Sequence, residues 1–412
     1  MHFSASSILT PEAWPFSLEL LPQPAYMVGG AVRDAILGRT REYLDLDFVL
    51  PSGAVKVARK IAKHYKAGFV LLDAERQIAR VVFPHATVDF AQQSGDLETD
   101  LHRRDFTVNA IAYNPHTQEI IDPLQGYADI QQRLMRMVSP RNLEDDPLRL
   151  LRAYRQASQL NFTIEPNTRA AICSLAEQIT KVAAERVRVE LNYMLSASSG
   201  TPWLTTAWED GLLNAFFKYA TEESFIHIAA VDTATVQLAQ WQQLAEELRN
   251  YVRDTVKSTW LGIAKLACLV NPEPEIAEIE LQQLTYSRAE IKAVTTALRL
   301  FTRLKAPHMT LREQYLLFLE AGIVFPATVV LAAAHYNRVE GLAPLITRYL
   351  NPDDPVAHPK LLISGKNLII ALNIPASPLI GKMLTEIAVA QIEGKISTPS
   401  EAIEFARQLI DS

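Results

Sequence analysis

Cysteine is nearly absent: the 412 residues hold two, Cys173 and Cys268, with no CxxC and no Cys/His pair at ligand spacing. A disulfide framework and a structural zinc site are thereby excluded as organising devices, and a reducing, cytoplasmic setting is expected. The start, "MHFSASSILTPEAWPF", lacks a basic segment followed by an apolar core, so no signal peptide is expected. Long apolar runs are also missing. The longest, Ala321 to Ala334, contains Pro326 and falls short of the roughly twenty residues of a membrane span, so it predicts a buried helix and no membrane association. There is no exact internal repeat and no low-complexity tract. His335 and the other histidines lack partners at ligand spacing. Excess positive charge is lacking too: the net charge is −6, which argues against a protein that coats nucleic acid. Binding depends on local patches, however, and Arg133, Arg136, Arg141, Arg149, Arg152 and Arg155 fall within 23 positions.

What is present fits a globular chain of about two to four domains, with 49% apolar and 21% charged residues. From about residue 25 to 125 short β-like runs alternate with helical ones. "YMVGG", "DLDFVL", "GFVLLD", "ARVVF", "ATVDFA" and "EIIDPL" read as strands, and "GAVKVARKIAKHY" as an amphipathic helix. After about 139 the β signals fade, and helical periodicity runs through "DDPLRLLRAYRQASQL", "NTRAAICSLAEQI", "AAERVRVELNYML", "SRAEIKAVTTALRLF" and "TEIAVAQIEGKI". The expectation is an α/β head with a small mixed sheet, followed by an all-helical remainder.

The stretch "MVGGAVRDAILGRTREYLDLDFVL" carries the first chemistry. Residues i and i+2 of a strand share a face, so Asp45 and Asp47 project together while Leu46 turns into the core. Two such carboxylates repel unless a cation sits between them, and hard oxygen ligands suit Mg²⁺. The plain alternative is two solvated acids at a strand end. Here the pair follows a Gly29-Gly30 turn that opens a helical "AVRDAILG", where backbone N–H groups can approach a triphosphate, with Arg33 and Asp34 at its mouth. A third carboxylate, Asp89 in "ATVDFA", either joins the acidic cluster or lies at an exposed strand end.

The ordered segments "GGAVRD", "DLDF", "RRDFTVNAIAYN", "DPLQGYADI", "EDDPLRLLRAYRQASQLNF" and "ERVRVELNYML" resemble the bacterial and eukaryotic (class II) CCA-adding tRNA nucleotidyltransferases and poly(A) polymerases, whose head is polymerase-beta-like. The resemblance is dense from 25 to 200 and thinner beyond. It implies a catalytic head at 1–138, a neck at 139–200, a body at 201–345 and a tail at 346–412. It implies CTP and ATP as substrates, Mg²⁺ as cofactor and tRNA as partner, gripped at its 3′ end and its elbow; no protein partner is evident. By position it makes Asp45 and Asp47 metal ligands and catalytic, with Asp89 beside them, and Gly29, Gly30, Arg33 and Asp34 the triphosphate turn. Arg104, Asp105 and Asn109 would hold the sugar and phosphates of the incoming nucleotide, although Asp105 can also be read as a helix cap.

In the same resemblance Asp146 and Arg149 select the base, and their spacing puts them on one helical face. A carboxylate only accepts hydrogen bonds and a guanidinium only donates. Cytosine and adenine both offer an amino donor beside a ring-nitrogen acceptor; uracil and guanine present the reverse order and would leave buried groups unpaired. Arg152 and Arg155 continue the series toward phosphates or base. The plain reading is that Asp146 caps a helix with Pro147 at its first turn. Three departures from the family stand out. Gln125 replaces a glycine in "DPLQG". Asp145-Asp146 stands where "ED" is usual, with Pro147 and Arg149 setting the register. The connection "QQSGDLETDLH", Gln92 to His102, is shorter than the family's flexible loop, as in variants that add only CC. Poly(A) polymerase activity, or a catalytically inactive RNA-binding relative, are the alternative readings.

Overall fold

The computed structural model describes residues 8–40, 42–253, 256–305 and 308–411; residues 1–7, part of the segment read for a signal peptide, lie outside it. The chain divides into two compact units, Met1–Ala183 with Thr206–Leu212, and Ala184–Thr205 with Leu213–Ser412.

The first unit is built on a seven-stranded mixed sheet. Its strands are β1 (Tyr26–Val28), β2 (Leu44–Leu50), β3 (Gly68–Asp73), β4 (Ile78–Phe83), β5 (Ala86–Gln92), β6 (Ala112–Asn114) and β7 (Glu119–Ile121). They lie in the order β3-β4-β5-β2-β1-β6-β7, with β2 and β5 parallel and the other neighbours antiparallel. Six of the seven were legible as β-like runs; β6 is three residues inside "NAIAYN" and carries no alternation. The helices of this unit include α1 (Gly30–Ile36), α2 (Ala54–Tyr65), α3 (Leu97–His102), α4 (Gly126–Gln132), α5 (Pro140–Asp145) and α6 (Leu148–Leu160).

The composition of β2 explains its position. Leu46, Phe48 and Leu50 bury one face, where Phe48 stacks on Phe90 at 5.6 Å and meets the edge of Trp14 at 5.1 Å. On the other face Val49 joins Val28, Leu101, Ala110 and Ala112 in a second apolar cluster. The C-terminal half of the strand is thus buried on both sides, while its N-terminal half carries acids on one.

The rest of the chain is mostly helical, as expected, with two short strand pairs besides. β8 (Leu134–Met135) pairs in parallel with β9 (Thr163–Ile164), and β10 (Tyr251–Arg253) pairs antiparallel with β11 (Val256–Thr259). These ribbons are too short to show a period-2 pattern. In the second unit the apolar run read as a buried helix is two helices, Leu311–Ala321 and Phe325–Tyr336, joined by a 3₁₀ turn at Gly322–Val324. The continuous stretch Leu311–Tyr336 has the length and composition of a membrane span, yet 72% of its most apolar window is buried inside the unit. Toward the C-terminus, helices Gly365–Leu372, Pro378–Ile392 and Pro399–Asp411 close around a separate apolar cluster that includes Leu368, Ile387, Ala402 and Ala406.

Candidate active site

The sheet register brings the acids together. Asp47 on β2 lies opposite Asp89 on β5, and Asp45 lies opposite Thr87. Thr87 donates its hydroxyl to Asp45 Oδ1 at 2.8 Å. Asp89 is neither isolated nor at a frayed end: Arg80, its neighbour across the β4–β5 pair, grips it with two hydrogen bonds of 2.7 and 2.8 Å. Burial pushes the Asp47 carboxyl up to about 7, helped by the charges of Asp45 and Asp89 and opposed by Arg104 and Arg80. The site is therefore short of positive charge at Asp47 when its acids ionise.

Gly29 has φ +73° and precedes α1. The left-handed φ calls for glycine, and a Cβ there would stand 3.3 Å from Arg104 Nη1 and 3.5 Å from Asp47 Oδ2, so the turn, the arginine and the acid lie side by side. Arg104 is aimed by a residue that sequence reasoning overlooked. The segment Gln92–His102, read as a loop, holds only a tight turn at 93–96 and then α3, whose N-cap Asp96 accepts from the Thr99 N–H at 2.8 Å. Asp100 on α3 is fully buried and accepts from Arg103 Nε at 2.9 Å and Arg104 Nη2 at 3.2 Å. The i+3 and i+4 spacing of this pair was there to be read once the segment is a helix. Asp100→Ala frees both arginines, and stability should fall by about 2 kcal/mol in urea melts.

Arg33 and Asp34 are ion-paired to each other, at 3.0 and 2.8 Å, and both are buried. Arg33 also donates to Asn109 Oδ1 and, at 3.4 Å, to Gln156 Oε1. Asn109 donates in turn to Asp105 and to Gln156, each at 2.9 Å. Asp105 also accepts from Arg152 Nε and Nη2 at 3.1 and 3.0 Å, from Gln156 Nε2 at 3.3 Å and from the Phe106 N–H at 2.8 Å. Burial pushes Asp105 up, but the Arg152 charge and these donors outweigh it and hold the carboxyl at about 2. Asp105 is thus the hub of a buried network joining α1 and the 3₁₀ turn at Thr107–Asn109 to α6 rather than a helix cap. Arg152, read as reaching toward phosphates or base, is held by Asp105, and Arg155, read the same way, donates to Gln159 at 2.7 Å.

Asp146 and Arg149 do not share one helix. Asp146 is extended, φ −140° and ψ 91°, between α5 and α6, because the residue before a proline avoids the α region. The carbonyl of Asp146 accepts the Arg149 N–H at 3.0 Å, so the two stay one turn apart. The N-cap of α6 is Pro147, whose side chain offers no hydrogen bond. Arg149 Nη1 donates to the carbonyls of Arg103 at 2.9 Å and Asn142 at 3.0 Å. Burial pulls its guanidinium below the ordinary range while Asp105 and Asp146 pull it back up, so both acids lie within its electrostatic reach. Gln125, the departure from glycine, adopts φ +56° before α4, a conformation that costs a side chain roughly 1–2 kcal/mol. The next residue has no such latitude: a Cβ on Gly126 would meet the Thr107 carbonyl at 2.1 Å.

Residues 25–96 and 75–136 match the poly A polymerase head domain, residues 161–223 the RNA- and SrmB-binding site of polymerase A, and residues 254–406 domain 2 of tRNA nucleotidyltransferase. The chain is 50% identical over 400 residues to the CC-adding tRNA nucleotidyltransferase of Synechocystis sp., covering 96% of each. Over 392 residues it is 31% identical to the CC-adding tRNA nucleotidyltransferase of Geobacter sulfurreducens, covering 92% of this chain and 91% of that one. A solved CCA-adding enzyme with CTP aligns over 94% of this chain and 92% of its own with a TM-score of 0.71 at 21% identity, a likeness of fold.

Proposed function

This chain belongs to the family of CC- and CCA-adding tRNA nucleotidyltransferases, and from that premise we propose that it adds two cytidines, and no adenosine, to the 3′ end of tRNA. The observation that carries the proposal is the connection after β5. Four residues, 93–96, and then an anchored helix stand where, by the resemblance, the family typically carries a longer flexible loop. A pocket that accepts cytosine and then adenine must readjust, and Asp100, locked to Arg103 and Arg104, leaves this side of it little freedom to do so. Poly(A) synthesis has no such support, because the full-length relatives are tRNA nucleotidyltransferases.

Asp45 and Asp47 would hold Mg²⁺. Among the described residues no three acidic, histidine or cysteine side chains converge as ligands, and Asp89 is turned to Arg80. Two carboxylates completed by substrate phosphates and water is the arrangement Mg²⁺ commonly takes, and the raised Asp47 marks where a cation relieves repulsion. When bound, the metal supplies charge stabilisation to the attacking 3′ oxygen and the leaving pyrophosphate. Arg104 beside Asp47 takes part of the triphosphate charge, and Gly29 lets the backbone approach it. Asp146 accepts from the cytosine amino group while Arg149 donates to the acceptor beside it. The Asp105 network holds α6, and Arg149 with it, against the head. In this reading residues 1–138 are the head, 139–200 the neck, 201–345 the body and 346–412 the tail, whose separate apolar cluster fits a module that grips the tRNA elbow. Both cysteines are unpaired, which supports a cytoplasmic setting.

The purified enzyme with tRNA lacking its 3′ end, CTP and ATP should stop at CC on a sequencing gel, with UTP and GTP unused. A terminal A made by this enzyme alone overturns the CC-only reading.

A further inference from the structure

Between Asp47 and Asp73 the sequence has no Asp or Glu, yet it has Lys56, Arg59, Lys60, Lys63 and Lys66. In a chain of net charge −6 this is a local reversal of sign. Four of the five lie at i, i+3, i+4 and i+7 of α2, one stripe about 10 Å long at the rise of an α-helix. All five are exposed, and none forms an ion pair among the described residues. The next acid downstream, Asp73, is turned to Arg76. Arg59 lies over the Phe69 ring at 4.9 Å, which steadies its guanidinium. Between α2 and the β3–β4 turn runs an open groove of about 580 Å³ lined by Val55, Lys56, Arg59, Lys60, Lys63 and Gln77.

The opposite side of α2 is committed. Ala54, Ala58, Ile61 and Ala62 are buried, and Tyr65 meets Phe83 of β4 at 6.0 Å. That apolar face is not available for insertion into a lipid surface, so the stripe acts through charge alone. On β4, Phe83 shares a face with Val81 and Ala79, whereas Arg80 points the other way, to Asp89. Hence α2 covers the face of the sheet opposite the acids, and the phosphates it meets are not those of the incoming nucleotide.

We propose that the outer face of α2 binds the phosphate backbone of the tRNA substrate, away from the end being extended; this rests on the reading of the protein as one that acts on tRNA. Regularly spaced cations without counterions, on a rigid helix, suit a repeating anion and read no base. Such contacts strengthen binding without touching the chemical step.

The test begins with the unaltered full chain. Lys56, Lys60 and Lys63 should be protected several-fold from acetylation by an N-hydroxysuccinimide ester when tRNA lacking CCA is added, read by mass spectrometry. The variant K56Q/R59Q/K60Q/K63Q should raise KM for tRNA roughly tenfold or more with kcat for CMP transfer retained, and lower the slope of log affinity against log salt by about three. Equal labelling with and without tRNA, or a KM and salt slope matching the unaltered protein, overturns the proposal. An unaltered protein that transfers no CMP to tRNA defeats the functional reading instead, whatever the labelling.

Discussion

Replacing Asp45 or Asp47 with alanine should lower CMP incorporation roughly a thousandfold, the loss of about 4 kcal/mol of transition-state charge stabilisation. Asp45 is exposed and Asp47 half-buried, both outside the apolar core below them, so the fold should survive. Asp47→Asn separates charge from shape. The folded carboxyl titrates at about 7 against an ordinary 3.8, so folding favours its neutral form. The cost of ionising it in the folded state builds as pH rises from about 4 to 7 and persists above. In EDTA, Asp47→Asn should therefore melt higher than the unaltered protein at pH 8 and no differently at pH 4, by calorimetry. Added Mg²⁺ should reverse that order at pH 8, since the variant loses a metal ligand. A variant that melts lower at pH 8 in EDTA would mean that burial and the neighbouring acids impose no such cost on the charged Asp47.

The largest stability loss should come from Asp105→Ala. The residue is buried and accepts five hydrogen bonds, two of them from Arg152. Breaking a fully buried pair costs about 3–5 kcal/mol; because Arg152 keeps about a third of its side chain in water, about 3 kcal/mol is expected. The pH dependence has the opposite sign to that of Asp47. A carboxyl held at about 2 contributes stability above pH 4 that fades as pH falls toward 2, so urea melts of the two proteins should converge in acid. CMP incorporation should fall with it, because α6 loses its anchor to the head.

The acid pair on β2 was legible because a strand's period of two needs no tertiary information, and Leu46 is buried as that period requires. Asp146 was misread for a local reason: the helical spacing to Arg149 was counted through Pro147, although the residue before proline is pushed to extended backbone. Asp100 was passed over because its segment was taken for a loop, despite Asp96 standing as an N-cap before it. Other features lay beyond any local pattern. Arg80 meets Asp89 only through the β4–β5 register, and Arg33 finds Asn109 and Gln156 across 76 and 123 positions of chain. Contacts of that separation are set by how elements pack, and no periodicity along the chain announces them.

The link from β5 to α3 has one more consequence. A strand and a helix joined with so little slack form one piece of scaffolding, with Asp89 midway along the strand and Arg103 and Arg104 just past the helix, so the link itself offers little room for readjustment between nucleotides. An enzyme framed this way behaves as a fixed gauge: it accepts what fits and stops when the growing end no longer does. On the proposed CC-only reading, completion of the terminus falls to a second catalyst, and the intermediate must leave this one before it can be finished.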